Sequence, residues 1–249
     1  MSGHSHWAGI KHKKAAIDAK RGKLWSKLAR NIIVAAKAGG GDPAANLSLR
    51  YAIDKAKEGN MPKDTIEKAI KKGTGELDGV NYEEIVYEGY GINGVAIMCQ
   101  VLTDNRNRTA SELRKIFDSR GGTLGASNCV AWMFSKKGYF SIKEEAASEE
   151  SLMELALEAG ADDVKRVDDT FEITCSVESF QPVKEALAAR NIPTELAEIS
   201  QVPSTSITLY AECARKILAL MEELEDHEDV QNVYANFDIP AEIAAKLGG

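Results

Sequence analysis

Residues 137–202 place the strongest constraint on the fold. Read by hydrophobic period, they run strand, helix, strand, strand, helix, strand. Strand-like stretches fall at Tyr139–Ile142, Val164–Val167, Phe171–Ser176 and Glu195–Val202. Helical stretches fall from the capping Ser148 to Ala159, stopped by Gly160, and over Glu178–Ala189. That order is the split βαβ, or ferredoxin-like, unit, and it is complete in itself. The flanking segments must therefore close a second sheet. Residues 80–136 read as two strands (Tyr82–Glu88 and Val95–Thr103) joined at Asn93-Gly94, a helix over Thr109–Ser119 and a third strand, Cys129–Ser135. Residues 208–237 read as a long helix, with Ala214, Ile217, Leu218, Met221 and Leu224 inward, and a strand alternating at Val233, Ala235 and Phe237. Neither part makes a comfortable domain alone, whereas together they give a four-stranded sheet with two helices. The reading is a 137–202 ferredoxin-like domain inserted into a middle α+β domain of 76–136 plus 203–249. Three domains in simple succession is the alternative.

Residues 1–75 have a different period. From Lys14 to Ala38, apolar residues recur at Ile17, Leu24, Leu28, Ile32 and Ala35, close to multiples of the helical turn, and Gly39-Gly40-Gly41 ends the run. Asp42-Pro43 then offers a cap and a first-turn proline for a helix with Ala45, Leu49, Ala52, Ile53 and Ala56 inward, stopping at Gly59-Asn60. A third helix runs from about Pro62 to Lys72, with Ile66, Ala69 and Ile70 inward and Gly73 as its stop. The expected class is α+β and multidomain: a three-helix bundle preceded by a basic arm, then two α+β domains with four-stranded, largely antiparallel sheets.

Charge follows the same boundary. Residues 1–75 hold 16 Lys/Arg against 6 Asp/Glu, a net +10, while the other 174 residues hold 15 against 32, a net −17. A basic module on an acidic body points to a polyanionic partner. On the first helix, Lys13, Lys20, Lys23, Lys27, Arg30 and Lys37 fall on one arc beside the apolar one. With Lys11 and Lys14 these cations are the candidate phosphate contacts. Trp7, among histidines and lysines, has two readings: stacking on an unpaired base, or folding back onto Trp25 or the bundle. In Asp104-Asn105-Arg106-Asn107-Arg108-Thr109, Asn107 or Arg108-Thr109 starts a helix and Asp104 pairs an arginine; Arg106 and Arg108 are also candidates for a second phosphate or base-edge contact.

Other chemistries find little support. Gly89-Tyr90-Gly91-Ile92-Asn93-Gly94 matches a dinucleotide fingerprint, but the following VAIMCQV is strand, where the fingerprint needs a helix N-terminus. His4, His6 and His12 lack nearby Cys or carboxylate ligands, and His227 reads as a surface histidine among acids. The cysteines, Cys99, Cys129, Cys175 and Cys213, are far apart and form no CxxC. No nucleophile elbow, HExxH, P-loop or metal-spaced carboxylate set occurs, so the expectation is no catalytic residue, no metal and no cofactor. No run approaches the roughly 18 apolar residues of a membrane span, and the start has no signal-length apolar stretch, so a cytoplasmic location is expected.

The strings GHSHWAGIKHKKAAIDAKRGKLWSKLAR, GGGDPAANLSLRYAIDKAKEGNMPKDTIEKAIKKGTGE, YEGYGINGVAIMCQVLTDNRNRTASELRKIF and GGTLGASNCVAWMF resemble the YebC/PmpR family. These are bacterial relatives of the mitochondrial translational activator of cytochrome c oxidase. His6, Gly9 and Asn128-Cys129 depart from the family's commonest residues. The resemblance implies a cytoplasmic protein of three domains, one helical and two α+β, with no enzymatic activity. It implies one of two roles: a DNA-binding transcriptional regulator, or a translation factor that helps ribosomes through consecutive prolines. The expected function is a non-enzymatic nucleic-acid binder acting in gene expression, on ribosomal RNA in preference to promoter DNA. The bundle offers no obvious dimer seam for a palindromic operator, and a basic arm suits irregular RNA. Ribosomal or other proteins are expected to meet the acidic body. Two alternatives stand beside it: a protein-interaction scaffold using the acidic domains, and an RNA-acting enzyme using Asp104, Glu112 or Asp118.

Overall fold

The structure, a computed structural model, describes residues 18–167, 169–240 and 242–243. Three helices open it: α1 (Asp18–Gly39), α2 (Leu47–Glu58) and α3 (Lys63–Thr74). Leu28, Ile32, Ile33 and Ala36 of α1 pack on Leu49, Ile53 and Ala56 of α2 and on Ile66 and Ala69 of α3. The apolar arc is shifted by one position from the expected one, leaving Leu24 45% exposed. The second helix starts later than Asp42-Pro43 suggests. Its cap is Asn46, whose Oδ1 accepts from the Leu49 amide at 3.1 Å while Nδ2 donates to the carbonyls of Ala35 and Gly40. One buried amide thus joins the end of α1 to the start of α2. Gly73 does not stop α3. A Cβ there would lie 2.6 Å from the Ile33 carbonyl oxygen and 2.7 Å from the Ala36 methyl, so Gly73 lets α3 approach α1. The stop is Gly75, at φ 83°.

The first sheet follows, in the order β3-β1-β2-β9, from β1 (Glu83–Tyr90), β2 (Ala96–Thr103), β3 (Thr123–Leu124) and β9 (Val230–Ala235). β1 and β2 form the expected hairpin, turning at Asn93 (φ 58°) and Gly94 (φ 75°). Of the hairpin's three glycines only Gly94 serves this turn; Gly89 lies within β1, where a Cβ would meet the Thr123 carbonyl oxygen at 2.6 Å. α4 (Arg106–Ser119) follows β2 and buries Thr109, Leu113 and Phe117.

The expected strand over Cys129–Ser135 is not formed. Residues 131–133 make a single helical turn, and the edge strand is β3 instead. From Phe134 the chain runs straight through to Lys143 as β4. The expected strands end at Ser135 and restart at Tyr139, but the chain between them is continuous strand, and its Gly138 is a packing requirement: a Cβ would sit 2.5 Å from Cys175 Sγ and 2.9 Å from the Phe180 ring. β4, α5 (Glu149–Glu158), β5 (Ala161–Val167), β6 (Thr170–Cys175), α6 (Phe180–Ala189) and β7 (Leu196–Pro203) build the second sheet, ordered β5-β6-β4-β7 with antiparallel neighbours. This is the ferredoxin-like arrangement. Ser148 caps α5 as expected, accepting from the Ser151 amide. Leu152, Leu155, Val183 and Leu187 from the helices cover Phe140, Ile142 and Ile173 on one face of the sheet.

β8 (Ile207–Thr208) pairs in parallel with β10 (Phe237–Asp238), and α7 (Ala211–Asp226) leads to β9. The fold is α+β with two antiparallel four-stranded sheets. Its described residues divide into two compact units, 18–127 with 216–233, and 128–215 with 234–243.

Candidate nucleic-acid interface

The first unit holds most of the described candidate residues. Lys23, Lys27 and Arg30 do share one face of α1, but that face is met by the chain itself. Helix α7 ends at Asp226, and its last carbonyls have no intrahelical donors. Lys23 Nζ donates to the Asp226 carbonyl at 3.4 Å, and Lys27 Nζ donates to that of Glu225. Arg30 Nη1 donates to the Glu228 carbonyl at 2.5 Å. Cations at a helix C-terminus also meet the negative end of its dipole. The basic arc of α1 is therefore partly an internal docking face. Lys23 remains exposed and Lys27 half-buried, but Arg30 is buried.

Asp229, 2% exposed, is the centre of this contact. Its Oδ1 accepts from Arg30 Nη1 at 3.0 Å, and its Oδ2 from Arg108 Nη2 at 2.8 Å and Thr109 Oγ1 at 2.7 Å. Arg30 Nη2 also pairs with Glu228 at 2.8 Å, and its guanidinium lies 5.4 Å from the Tyr82 ring centroid. Burial alone would raise the Asp229 pKa, but hydrogen bonds from Arg108 and Thr109 and the charges of Arg108 and Arg30 outweigh it. They hold the carboxyl below the ordinary range. The same hydrogen bond and charge raise the pKa of Arg108.

Arg108 also reaches Asp104 at 2.9 Å, so the expected Asp104–arginine pair is present. The cap of α4 is Asn105, not Asn107 or Arg108, and its Oδ1 accepts from the Arg108 amide. Arg106 stays on the surface, 3.8 Å from Glu83. His227 is not a surface histidine, its side chain being 11% exposed. Nδ1 accepts from the Asp229 amide at 3.1 Å, which puts the proton on Nε2, donated to Glu112 at 3.0 Å. Glu112, His227 and Asp229 come close enough to share a cation. Their donor atoms already serve two arginines, the hydroxyls of Thr103 and Thr109 and a backbone amide, so the set does not fit a metal without dismantling the contact.

Trp7, Lys11, Lys13 and Lys14 lie outside the described residues, as does the side chain of Lys20. Trp25 is committed to the bundle, donating to the Gly59 carbonyl at 2.9 Å. Cations not singled out by sequence reasoning stand open on the other two helices. Arg50, Lys55, Lys68, Lys71 and Lys72 are exposed and make no ion pair with another described residue. Their signal was only the net charge of the segment. Asp229 gave none, because the residues that bury it lie more than a hundred positions away.

Two family profiles match the chain: one described as the TACO1/YebC protein N-terminal domain over residues 5–76, and one as the TACO1/YebC second and third domain over 82–237. The chain belongs to the TACO1/YebC family. Relatives named "Probable transcriptional regulatory protein" include one from Natranaerobius thermophilus, 58% identical over 242 residues and covering 96% of this chain and 97% of the relative. Another, from Dictyoglomus turgidum, is 56% identical over 248 residues, covering 99% and 100%. The crystal structure of a conserved hypothetical protein from Aquifex aeolicus has TM-score 0.82 at 50% identity, covering 96% of this chain and 98% of that one. The TACO1/YebC profiles part between residues 76 and 82, where α3 has ended and β1 has not begun.

Proposed function

We propose that this TACO1/YebC protein is a non-enzymatic regulator of gene expression that binds nucleic acid through its basic N-terminal module, in the cytoplasm and without a cofactor. The observation that carries this is the charge of residues 1–75, with Arg50, Lys55, Lys68, Lys71 and Lys72, exposed and without an ion pair among the described residues, as its visible part. Lys11, Lys13, Lys14 and Lys20 contact phosphates, Trp7 stacks on a base, and Arg106 adds a second contact, while Lys23 and Lys27 are turned to the end of α7. Arg30 and Arg108 act differently from the sequence expectation. Their guanidiniums are spent on Asp229, so they hold the docking face together and do not reach for phosphate. Three modules divide the work: 1–75, 76–136 with 203–249, and 137–202.

RNA on the ribosome is the preferred target over promoter DNA. A recognition helix needs an open face to enter the major groove, and the basic face of α1 is occupied by the end of α7. Lysines scattered over two short helices suit irregular phosphates better. The names of the relatives favour DNA, so the test compares both. Footprinting of purified ribosomes and of promoter DNA at matched salt is expected to protect ribosomal RNA; protection of DNA alone would overturn the RNA reading. The acidic body remains free for protein partners. Exposed Met153 and Leu157 among Glu149, Glu150, Glu154 and Glu158 on α5 favour a basic one.

A further inference from the structure

Trp132 is 74% exposed, although tryptophan is a residue whose burial ordinarily contributes most to a core. It belongs to the second unit, on the single turn Ala131–Met133 that enters β4. The turn is pinned on both sides. Val130 is fully buried, Phe134 is 8% exposed, and the Met133 carbonyl accepts from the Ser204 amide at 2.8 Å and from its hydroxyl at 3.1 Å. The indole is oriented as well, since Nε1 donates to the Cys129 carbonyl at 3.1 Å. Its polar atom is therefore already used, and what it offers to solvent is its π surface.

The charge around it is unlike that of the rest of the unit. Residues 128–215 hold 16 Asp/Glu and 8 Lys/Arg, yet residues 128–143 hold none of the acids and three of the lysines. Lys137 pairs with Asp162 and Lys143 with Glu195, while Lys136 is exposed and makes no ion pair with another described residue. With two of the three lysines spent on acids of neighbouring segments, the stretch offers one oriented, exposed aromatic and one exposed cation, the minimal apparatus for an unpaired base and its phosphate.

We propose that Trp132 is a stacking platform for a base of single-stranded RNA, with Lys136 as the accompanying phosphate contact. This rests on the nucleic-acid reading above and extends it to a second site, specific for unpaired bases. A protein partner for the same indole is the competing occupant, disfavoured because the ring's hydrogen-bond donor is already committed.

The test uses the full chain, a 12-nucleotide oligouridylate containing 5-bromouridine, and a duplex RNA of equal length. Stacking on one aromatic predicts that Trp132→Ala weakens single-strand binding by about 5- to 100-fold and leaves duplex binding unchanged. Trp132→Phe is expected to stay within about threefold of the wild type, and photocrosslinking to map to Trp132. The melting temperature of Trp132→Ala checks that the exposed substitution leaves the fold intact. Wild-type single-strand affinity in Trp132→Ala, or equal losses on single strand and duplex, would overturn this proposal while leaving the general reading standing. An unaltered affinity would hand the indole to a protein partner. A wild-type chain that binds neither RNA would overturn both.

Discussion

Asp229 sits between two guanidiniums, and replacing it removes the only carboxylate that joins Arg30 to Arg108 among the described residues. Asp229→Asn leaves Arg30 in a poorly hydrated place with less compensation, and should cost about 3–5 kcal/mol in urea unfolding. The pH dependence has a definite sign. The folded pKa of Asp229 lies below its unfolded value of about 4, so its contribution is fully present above that value. It is lost as pH falls through the depressed folded pKa. The gap in unfolding midpoint between wild type and Asp229→Asn should therefore be constant from pH 5 to 8 and narrow below pH 4. A gap that widened with acid would contradict the assignment. The thiols give a second check. Cys99 and Cys175 are fully buried; burial raises both, Cys175 to about 11. At pH 8 a disulfide reagent should label Cys129 and Cys213 in the native chain and all four only after denaturation.

At the scale of elements, helix and strand periods located most of the secondary structure, and capping chemistry fixed α5 at Ser148. Two departures fall at glycines: Gly73, expected to stop a helix, and Gly138, which lies between two expected strands, are interior positions where another element comes too close for a Cβ. Gly73→Ala is expected to destabilise the bundle by about 1–3 kcal/mol, because α3 must move off Ile33 and Ala36. Gly22→Ala, with open space around its Cβ in α1, should be neutral or mildly stabilising. Equal unfolding midpoints for the two variants would contradict the close-approach account. The strand expected at Cys129–Ser135 failed for another reason. Its short apolar run satisfies a pinned turn and the start of β4, and period alone does not separate these from one edge strand.

For the whole molecule, the segregation of charge was legible from the first 75 residues, but its disposition was not. Where the arc of α1 points depends on the end of α7, almost two hundred residues away, so sequence alone could not tell an open cationic stripe from an internal contact. The structure shows both dispositions: Arg30 and Arg108 pair inwardly, whereas Arg50, Lys55, Lys68, Lys71 and Lys72 of α2 and α3 make no ion pair with another described residue. The central claim is that the remaining cations hold a chain of phosphates, and counterion release measures this directly. RNA affinity should fall with added salt at a log–log slope of about −4 to −5. Replacing Lys11, Lys13, Lys14 and Lys20 with glutamine in the full chain should flatten that slope by about 3. A quadruple variant with the wild-type slope and affinity would contradict the account.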